Sequence, residues 1–319
     1  MRTDYQEIKE KFERFVQILE KRDGKLEDIF QSDVKCYFST VKDNSKGECH
    51  ALHGVKAFLA PFQLPDATKT WIYNYTCRQN GNVCLQAAIV HGVSIKNCGG
   101  DFKYCEYSLQ FSVQWNKRND WMISVMRVDM VECEGDYSEL IESWYQEDCQ
   151  PHWFAGVHLP VISGELDSPW LCIVDDESEL SDEEQIADAY YEYGFGIDEL
   201  EFKHLDQALS SDFLANMTPF GNMDKRTFLA TLKYQRQRDR YWCHPAKVEL
   251  IHIEGDTAIV RMYRISGHKQ RIDPLIRTEE NWDQEYACAR YEIEASKKAG
   301  RWQLSRLYYF LGLFPISDS

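Results

Sequence analysis

The strongest constraint on this chain is that it opens twice in the same way. Ile186, Tyr190, Tyr193 and Ile197 are spaced 4, 3 and 4 apart, which places them on one apolar face of a helix. Ile8, Phe12, Phe15 and Leu19 have the same spacing near the N-terminus. Each set is followed by a short amphipathic piece with a similar ending, Phe30-Gln-Ser-Asp33 in one case and Leu209-Ser-Ser-Asp212 in the other. Both pieces read as second, shorter helices. A third helix is expected around Val55–Leu59 in the first half and Thr227–Leu232 in the second.

The period then changes to 2 in both halves. The expected strands are Trp71–Arg78, Val83–Ser94, Phe102–Trp115 and Trp121–Val128, followed in the second half by Ala246–Ile253, Thr257–Ile265, Tyr286–Ala295 and Trp302–Phe310. Asn80-Gly81-Asn82 and Glu254-Gly255-Asp256 supply hairpin turns. Tyr107, Leu109, Phe111, Val113 and Trp115 alternate with Ser108, Gln110, Ser112 and Gln114, which predicts one buried and one wet face. The closing hairpins also correspond, with Trp121-Met-Ile-Ser in one copy and Trp302-Gln-Leu-Ser in the other. An internal duplication with a period of roughly 180 residues accounts for this order.

Helices followed by long antiparallel strands form an α+β pattern. Each copy resembles a SnoaL-like domain of the nuclear transport factor 2 superfamily, the fold of ketosteroid isomerase, scytalone dehydratase and polyketide cyclases. The second copy carries the resemblance best. Its Ala189-Tyr-Tyr-Glu-Tyr193-Gly-Phe-Gly-Ile-Asp198 resembles the family's helix ending in an aromatic-x4-Asp, and Val248–Tyr263 resembles the first central hairpin. The resemblance implies two cone-like domains, each a bent antiparallel sheet wrapped around N-terminal helices, docked on each other as an intramolecular pseudo-dimer, with room for further oligomerisation. The expected boundaries are 1–130 for the first copy, 131–182 for a connecting segment and 183–319 for the second copy.

The 319 residues include 36 Lys and Arg against 52 Asp and Glu, a net charge of −16. No Lys or Arg occurs between 130 and 182, so most of the acidity belongs to the connection, and neither domain has the basic character of a nucleic-acid binder. Its Trp, Phe, Val and Ile content predicts that the connection packs, with a helix over Tyr137–Tyr145 started by Asp136 and only Asp175–Glu184 fully solvated. Eleven scattered cysteines without a CxxC read as reduced, mostly buried thiols in a cytoplasmic protein. The charged start lacks the apolar run of a signal peptide, and no run is long enough for a membrane span.

The resemblance makes the second cone the expected site for a small apolar or aromatic molecule. A buried Tyr193 phenol could donate to a carbonyl or enolate oxygen, or simply satisfy a backbone carbonyl. The resemblance implies a histidine acid/base near Tyr241-Trp-Cys-His244, matched by Tyr241 or His244. It places the family's aspartates at Asp198 and near Ser266. Asp198 fits its position, although capping the next helix explains it equally well. The general base of ketosteroid isomerase would fall near Phe38 in one copy and near Asn216 or Met217 in the other, and none of these is a base.

In the first copy Phe15 replaces the tyrosine, Thr70 or Trp71 replaces the histidine, and no acid is evident. His91 either points inward or is a satisfied core histidine. That copy is expected to be non-catalytic. Cys49, His50 and His53 offer at most three metal ligands in a loop, and Arg236, Arg238 and Arg240 read as solvated, so no metal or cofactor site is expected. The motifs of nucleotide, dinucleotide, zinc-protease and serine-hydrolase sites are missing. Two functions remain: ligand binding without turnover, or a dehydratase-like lyase or isomerase acting on a hydroxylated or carbonyl-bearing ring.

Overall fold

The computed structural model describes residues 3–38, 48–140, 167–199, 201–217, 219–236, 242–265 and 276–316, for 48–53, 137–138, 236 and 313–315 by their backbone alone. The chain divides into two compact units. The first comprises Met1–Glu147, Val161–Glu179 and Arg277–Asp283, and the second Asp148–Pro160, Leu180–Ile276 and Gln284–Ser319.

The first unit begins with α1 (Asp4–Lys21), a 3₁₀ turn at Leu26–Asp28, β1 (Phe30–Phe38), β2 (Glu48–His50) and α2 (Ala51–Leu59). The long strands β3 (Ala67–Asn80), β4 (Val83–Cys98), β5 (Asp101–Lys117) and β6 (Trp121–Gly135) follow, then α3 (Tyr137–Leu140) and α4 (Pro169–Cys172). The second unit has α5 (Asp182–Asp198), α6 (Phe202–Ala208), β7 (Leu209–Met217), β8 (Gly221–Asp224), α7 (Lys225–Arg236), β9 (Ala246–Glu254), β10 (Thr257–Ile265), β11 (Tyr286–Lys298) and β12 (Arg301–Pro315). The two sheets have equivalent orders, β2-β1-β6-β5-β4-β3 and β8-β7-β12-β11-β10-β9. Their neighbouring strands are antiparallel except at one equivalent place, where β1 pairs β6 and β7 pairs β12 in parallel.

The tetrapeptides expected to end short helices open these parallel strands instead. Phe30 pairs with Ile123 and Leu209 with Leu304, and both ladders shift register just beyond. Their apolar residue followed by polar ones is the entry to a half-buried, bulged strand. The expected first-copy strands are all present but longer; β6 runs to Gly135, beyond the boundary at 130.

Shared side-chain tethers show why the sequence repeats. Both long helices start with a capping box, Thr3 with Gln6 and Ser181 with Glu184. The first helical residue then anchors the closing hairpin. Asp4 accepts from Lys117 Nζ at 2.7 Å, and Asp182 accepts from Lys297 Nζ at 2.7 Å and from Trp302 Nε1 at 2.8 Å. Each lysine lies over the matching indole, Trp121 or Trp302. The acidic residues 182–184 therefore form the first helical turn, where carboxylates suit the helix dipole, and α5 starts before Gln185.

Asp176 and Glu177 are not fully solvated either. Asp176 accepts from the Gln79 N–H at 3.0 Å and Glu177 from the Gly81 N–H at 2.9 Å, fixing this acidic stretch to the turn between β3 and β4. Among the described residues of the connection, Trp170 is buried.

Aromatic rings pack together inside the first cone. Phe15 meets Phe30 and Phe111 edge-on with centroids 5.1 and 6.1 Å apart, and Phe38 stacks on Phe58 at 4.8 Å. Gly92 is needed beneath this packing: a Cβ there would lie 2.6 Å from the Tyr107 ring. On the opposite face of the same sheet, the expectation of a wet surface fails. Ser108, Gln110 and Ser112 are buried. His91 lies on this face, not in the cone: it pairs with Ser108 across the β4–β5 ladder and contacts its Oγ at 3.0 Å. His91 Nε2 is 3.1 Å from one oxygen of Glu106, and Arg277 Nε donates to the other at 3.0 Å. Polar residues can alternate with apolar ones in a strand buried on both faces when they bond to one another.

Burial alone would raise the Glu106 pKa, but the bonds and charges of His91 and Arg277 hold it well below the ordinary value. A depressed carboxyl pKa contributes stability that is fully present above the unfolded value, near 4.5, and is lost as pH falls towards the folded one. Urea unfolding of Glu106→Gln and wild type from pH 7 to pH 3 should show the variant less stable at neutral pH, with the difference shrinking below about pH 4.5.

Candidate functional site

The second unit assembles its inner wall from two sources. The α5 face predicted by spacing, Ile186, Tyr190, Tyr193 and Ile197, is buried against Val260 and Met262 of β10 and Tyr291 and Ile293 of β11. Gly194 and Gly196 lie inside α5. A Cβ on Gly196 would sit 2.9 Å from the His204 Cβ and 3.0 Å from Leu205 Cγ, so this glycine lets α6 cross closely. The helical cost of glycine, about 1 kcal/mol relative to alanine, is accepted for that contact.

This cone keeps a cavity of about 500 Å³, within the range of small-molecule sites. Tyr193, Trp242, His244, Arg264, Tyr291 and Tyr309 supply its aromatic and polar lining, and Ile197, Met217, Leu232 and Leu311 its aliphatic wall. Tyr193 stacks near-parallel to Phe228 with centroids 6.1 Å apart, and Tyr190 links it to Tyr291. Burial pushes the Tyr193 and Tyr291 phenols above their ordinary pKa, so both remain protonated at neutral pH.

Asp198, the last residue of α5, joins helix to strand. One carboxylate oxygen accepts from the His244 backbone N–H at 2.9 Å, and the other meets His244 Nδ1 at 2.5 Å. Both side chains are buried. An ionised carboxylate can only accept, so this contact places the proton on Nδ1 and leaves Nε2 as the basic nitrogen. Capping of the next helix does not explain Asp198, because the α6 cap is Glu201, which accepts from Lys203 N. His244 is buried and lines the cavity. The proline after it ends the irregular segment just before β9.

Asp198 and His244 are thus in direct contact, and His244 and Tyr193 line the same cavity. Tyr241 lies outside the described residues, as do Ser266, Arg238, Arg240 and the side chains of Arg236, Cys49, His50 and His53. Arg264 was not anticipated. It follows Val260 and Met262 at period 2 on β10, so the strand's alternation puts it on the inner face, where it is 3% exposed and donates to the Cys243 carbonyl at 2.7 Å. Of the ketosteroid isomerase positions, Phe38 is core, Asn216 bonds to Asn222 and Met217 lines the cavity.

The first unit contains an echo of the dyad. Five residues after Phe15, as Asp198 follows Tyr193, stands Glu20. Its Oε1 accepts from the Thr70 backbone N–H at 2.6 Å and from the Thr70 hydroxyl at 2.9 Å. An acid is therefore present in the first copy, contrary to the sequence reading, and Thr70 is the residue standing for the histidine. The carboxylate clamp is common to both copies, while the imidazole is confined to the second.

Residues 178–308 match the family model for the SnoaL-like domain. The second unit contains a SnoaL-like domain. The matched stretch runs from the approach to α5 into β12 and includes Tyr193, Asp198, His244 and Arg264. The first unit repeats the strand order of this SnoaL-like domain. No curated protein matches the chain. Among solved structures, the Kfla4162 protein of Kribbella flavida is 16% identical, with 41% of this chain and 93% of that one covered at a TM-score of 0.36. A hexachlorocyclohexane dehydrochlorinase, LinA-type3 of Novosphingobium barchaimii, is 11% identical over 40% of this chain and 87% of that one, at 0.34. A nuclear transport factor 2-like superfamily protein of Salmonella enterica is 13% identical over 39% and 89%, at 0.32. Among the described residues, no helix is long and apolar enough to cross a membrane.

The clamp makes a thermodynamic prediction. Asp198→Ala strands the His244 N–H and imidazole in a buried site, at about 1–3 kcal/mol for each unsatisfied group. Hydrogen-exchange mass spectrometry of Asp198→Ala should show faster exchange over residues 242–248, and Glu20→Ala should do the same over residues 68–72.

Proposed function

We propose that the second unit binds a small ring compound in its cavity and transfers a proton on it, acting as a dehydratase-like lyase or isomerase. The observation that carries this reading is the Asp198-clamped imidazole of His244 on the wall of an apolar cavity that Tyr193 also lines. In a dehydration, His244 Nε2 removes a proton from the carbon next to a ring carbonyl. Asp198 stabilises the imidazolium that results. The electron pair of the broken C–H bond moves towards the carbonyl oxygen, where the Tyr193 phenol donates a hydrogen bond to the developing enolate. That pair then forms the carbon–carbon double bond as the β-hydroxyl leaves, and the imidazolium returns its proton to it, so water departs and His244 regains its starting state.

A second reading, ligand binding without turnover, has a specific observation in its favour. The Glu20–Thr70 clamp shows that the carboxylate can serve the fold where no imidazole is present.

Dehydration of 3-hydroxy-1-tetralone to 1-naphthol, followed by naphthol fluorescence, separates the two. The expected outcome is turnover that falls by about 10²–10⁴-fold in His244→Gln and by about 10²-fold in Tyr193→Phe, with melting temperatures close to wild type. Thermal stabilisation by the tetralone without any turnover in the wild type would favour the binding reading.

A further inference from the structure

The C=O of Cys243 and the N–H of His244 belong to one peptide group, and a buried charged side chain holds each of them. Arg264 donates to the carbonyl at 2.7 Å, and Asp198 accepts from the N–H at 2.9 Å. We propose that Arg264 is a positioning residue for His244: by fixing this peptide plane it keeps the imidazole on Asp198 and against the cavity. This inference rests on the reading of His244 as the acting base and adds a residue on which that base depends.

The backbone explains why a side chain is needed there. Pro245 has no N–H, so it adds no donor to the β9–β10 ladder beyond Ala246, which pairs with Arg264. Pro245 still accepts from the Ile265 N–H at 2.8 Å. Just upstream, Cys243 is buried, and its carbonyl requires a donor. Arg264 supplies one from the inner face of β10, and it is itself held by a hydrogen bond to Tyr309. A trans peptide is planar, so its oxygen and hydrogen turn together. Rotation of the plane therefore breaks both bonds at once. It also takes the N–H off the same carboxylate that meets His244 Nδ1. Arg264 acts on the imidazole through that carboxylate.

The first copy supplies the contrast. Thr70, which stands for His244, lies within β3 and pairs with Gly92, so it is already part of a ladder. Two residues on, Ile72 pairs with Val90, as Ala246 pairs with Arg264. Val90 therefore occupies the place of Arg264, and it is buried in the apolar core of that unit. The guanidinium accompanies the histidine, and an apolar side chain accompanies the threonine.

Labelling the full chain with ¹³C-carbonyl cysteine and ¹⁵N-histidine isolates this peptide in NMR spectra, because Cys-His occurs only at 49–50 and 243–244; Cys49→Ser identifies the other signal. In folded Arg264→Met the His244 amide should exchange about 10-fold faster or more, and the His244 ring should populate both tautomers. The kcat for tetralone dehydration should fall about 10–10²-fold, with KM within about 3-fold of wild type. Arg264→Lys keeps a donor and should recover part of kcat. An unchanged exchange rate, a single retained tautomer or an unchanged kcat in folded Arg264→Met would overturn the inference. A loss carried by KM alone would overturn it as well, because it marks a ligand contact. If Arg264→Met does not fold, the wild type decides. A correlation across the hydrogen bond from an Arg264 Nη to the Cys243 carbonyl carbon supports the inference, and its absence overturns it. A wild type that turns over no tetralone removes the proposed chemistry separately. The inference then stands if the His244 ring populates both tautomers in Arg264→Met, and falls if it does not.

Discussion

A carboxylate at the end of the first long helix, bonded to the residue that leads into the sheet, is the interaction on which each unit depends. In the second unit Asp198 holds both the backbone and the side chain of His244, and in the first Glu20 does the same for Thr70. The clamp sets where the helix ends relative to the first long strand, and the rest of the inner wall follows from strand alternation. A second tether at the other end of the helix, Asp4 to Lys117 and Asp182 to Lys297, fixes it to the closing hairpin. Held at both ends, the helix presents one face to the sheet, and position 15 or 193 becomes the residue at the centre of the cone.

What stands at that centre separates the two copies physically. In the first, Phe15 packs against Phe30 and Phe111, and Phe58 against Phe38 and Phe62. In the second, Tyr193 brings a hydroxyl, Arg264 brings a charge, and the space between them remains a cavity. An imidazole without a cavity has nothing to act on, and a cavity without an imidazole has no base. In the second unit His244 and the cavity occur together.

The helix faces, the strand order and the alignment of Tyr193 with Phe15 were legible in the sequence because periodicity reports burial directly. The same logic failed for Ser108, Gln110 and Ser112. Their alternation with Leu109, Phe111 and Val113 is identical in a strand wet on one face and in one whose second face is buried and internally hydrogen-bonded. The acid of the first copy was missed because Glu20 and Thr70 are far apart in sequence, although laying the Tyr193-x4-Asp198 spacing on Phe15 points to Glu20. His244 precedes Pro245 in an irregular segment, and it is buried there because a carboxylate receives its N–H. Arg264 left its signal in the period-2 run with Val260 and Met262, where an inward charge at the end of an apolar strand marks a site.

The proposed proton transfer needs His244 to be a base whose own proton is held on Nδ1 by Asp198. Long-range ¹H–¹⁵N correlation spectra of the histidine-labelled protein at neutral pH read that tautomer directly, with Asp198→Asn as the assignment control. The prediction is an Nδ1–H imidazole for His244 with an unprotonated Nε2, altered in the control. A His244 that carries its proton on Nε2 would contradict the account, because the nitrogen needed to accept a proton would already hold one.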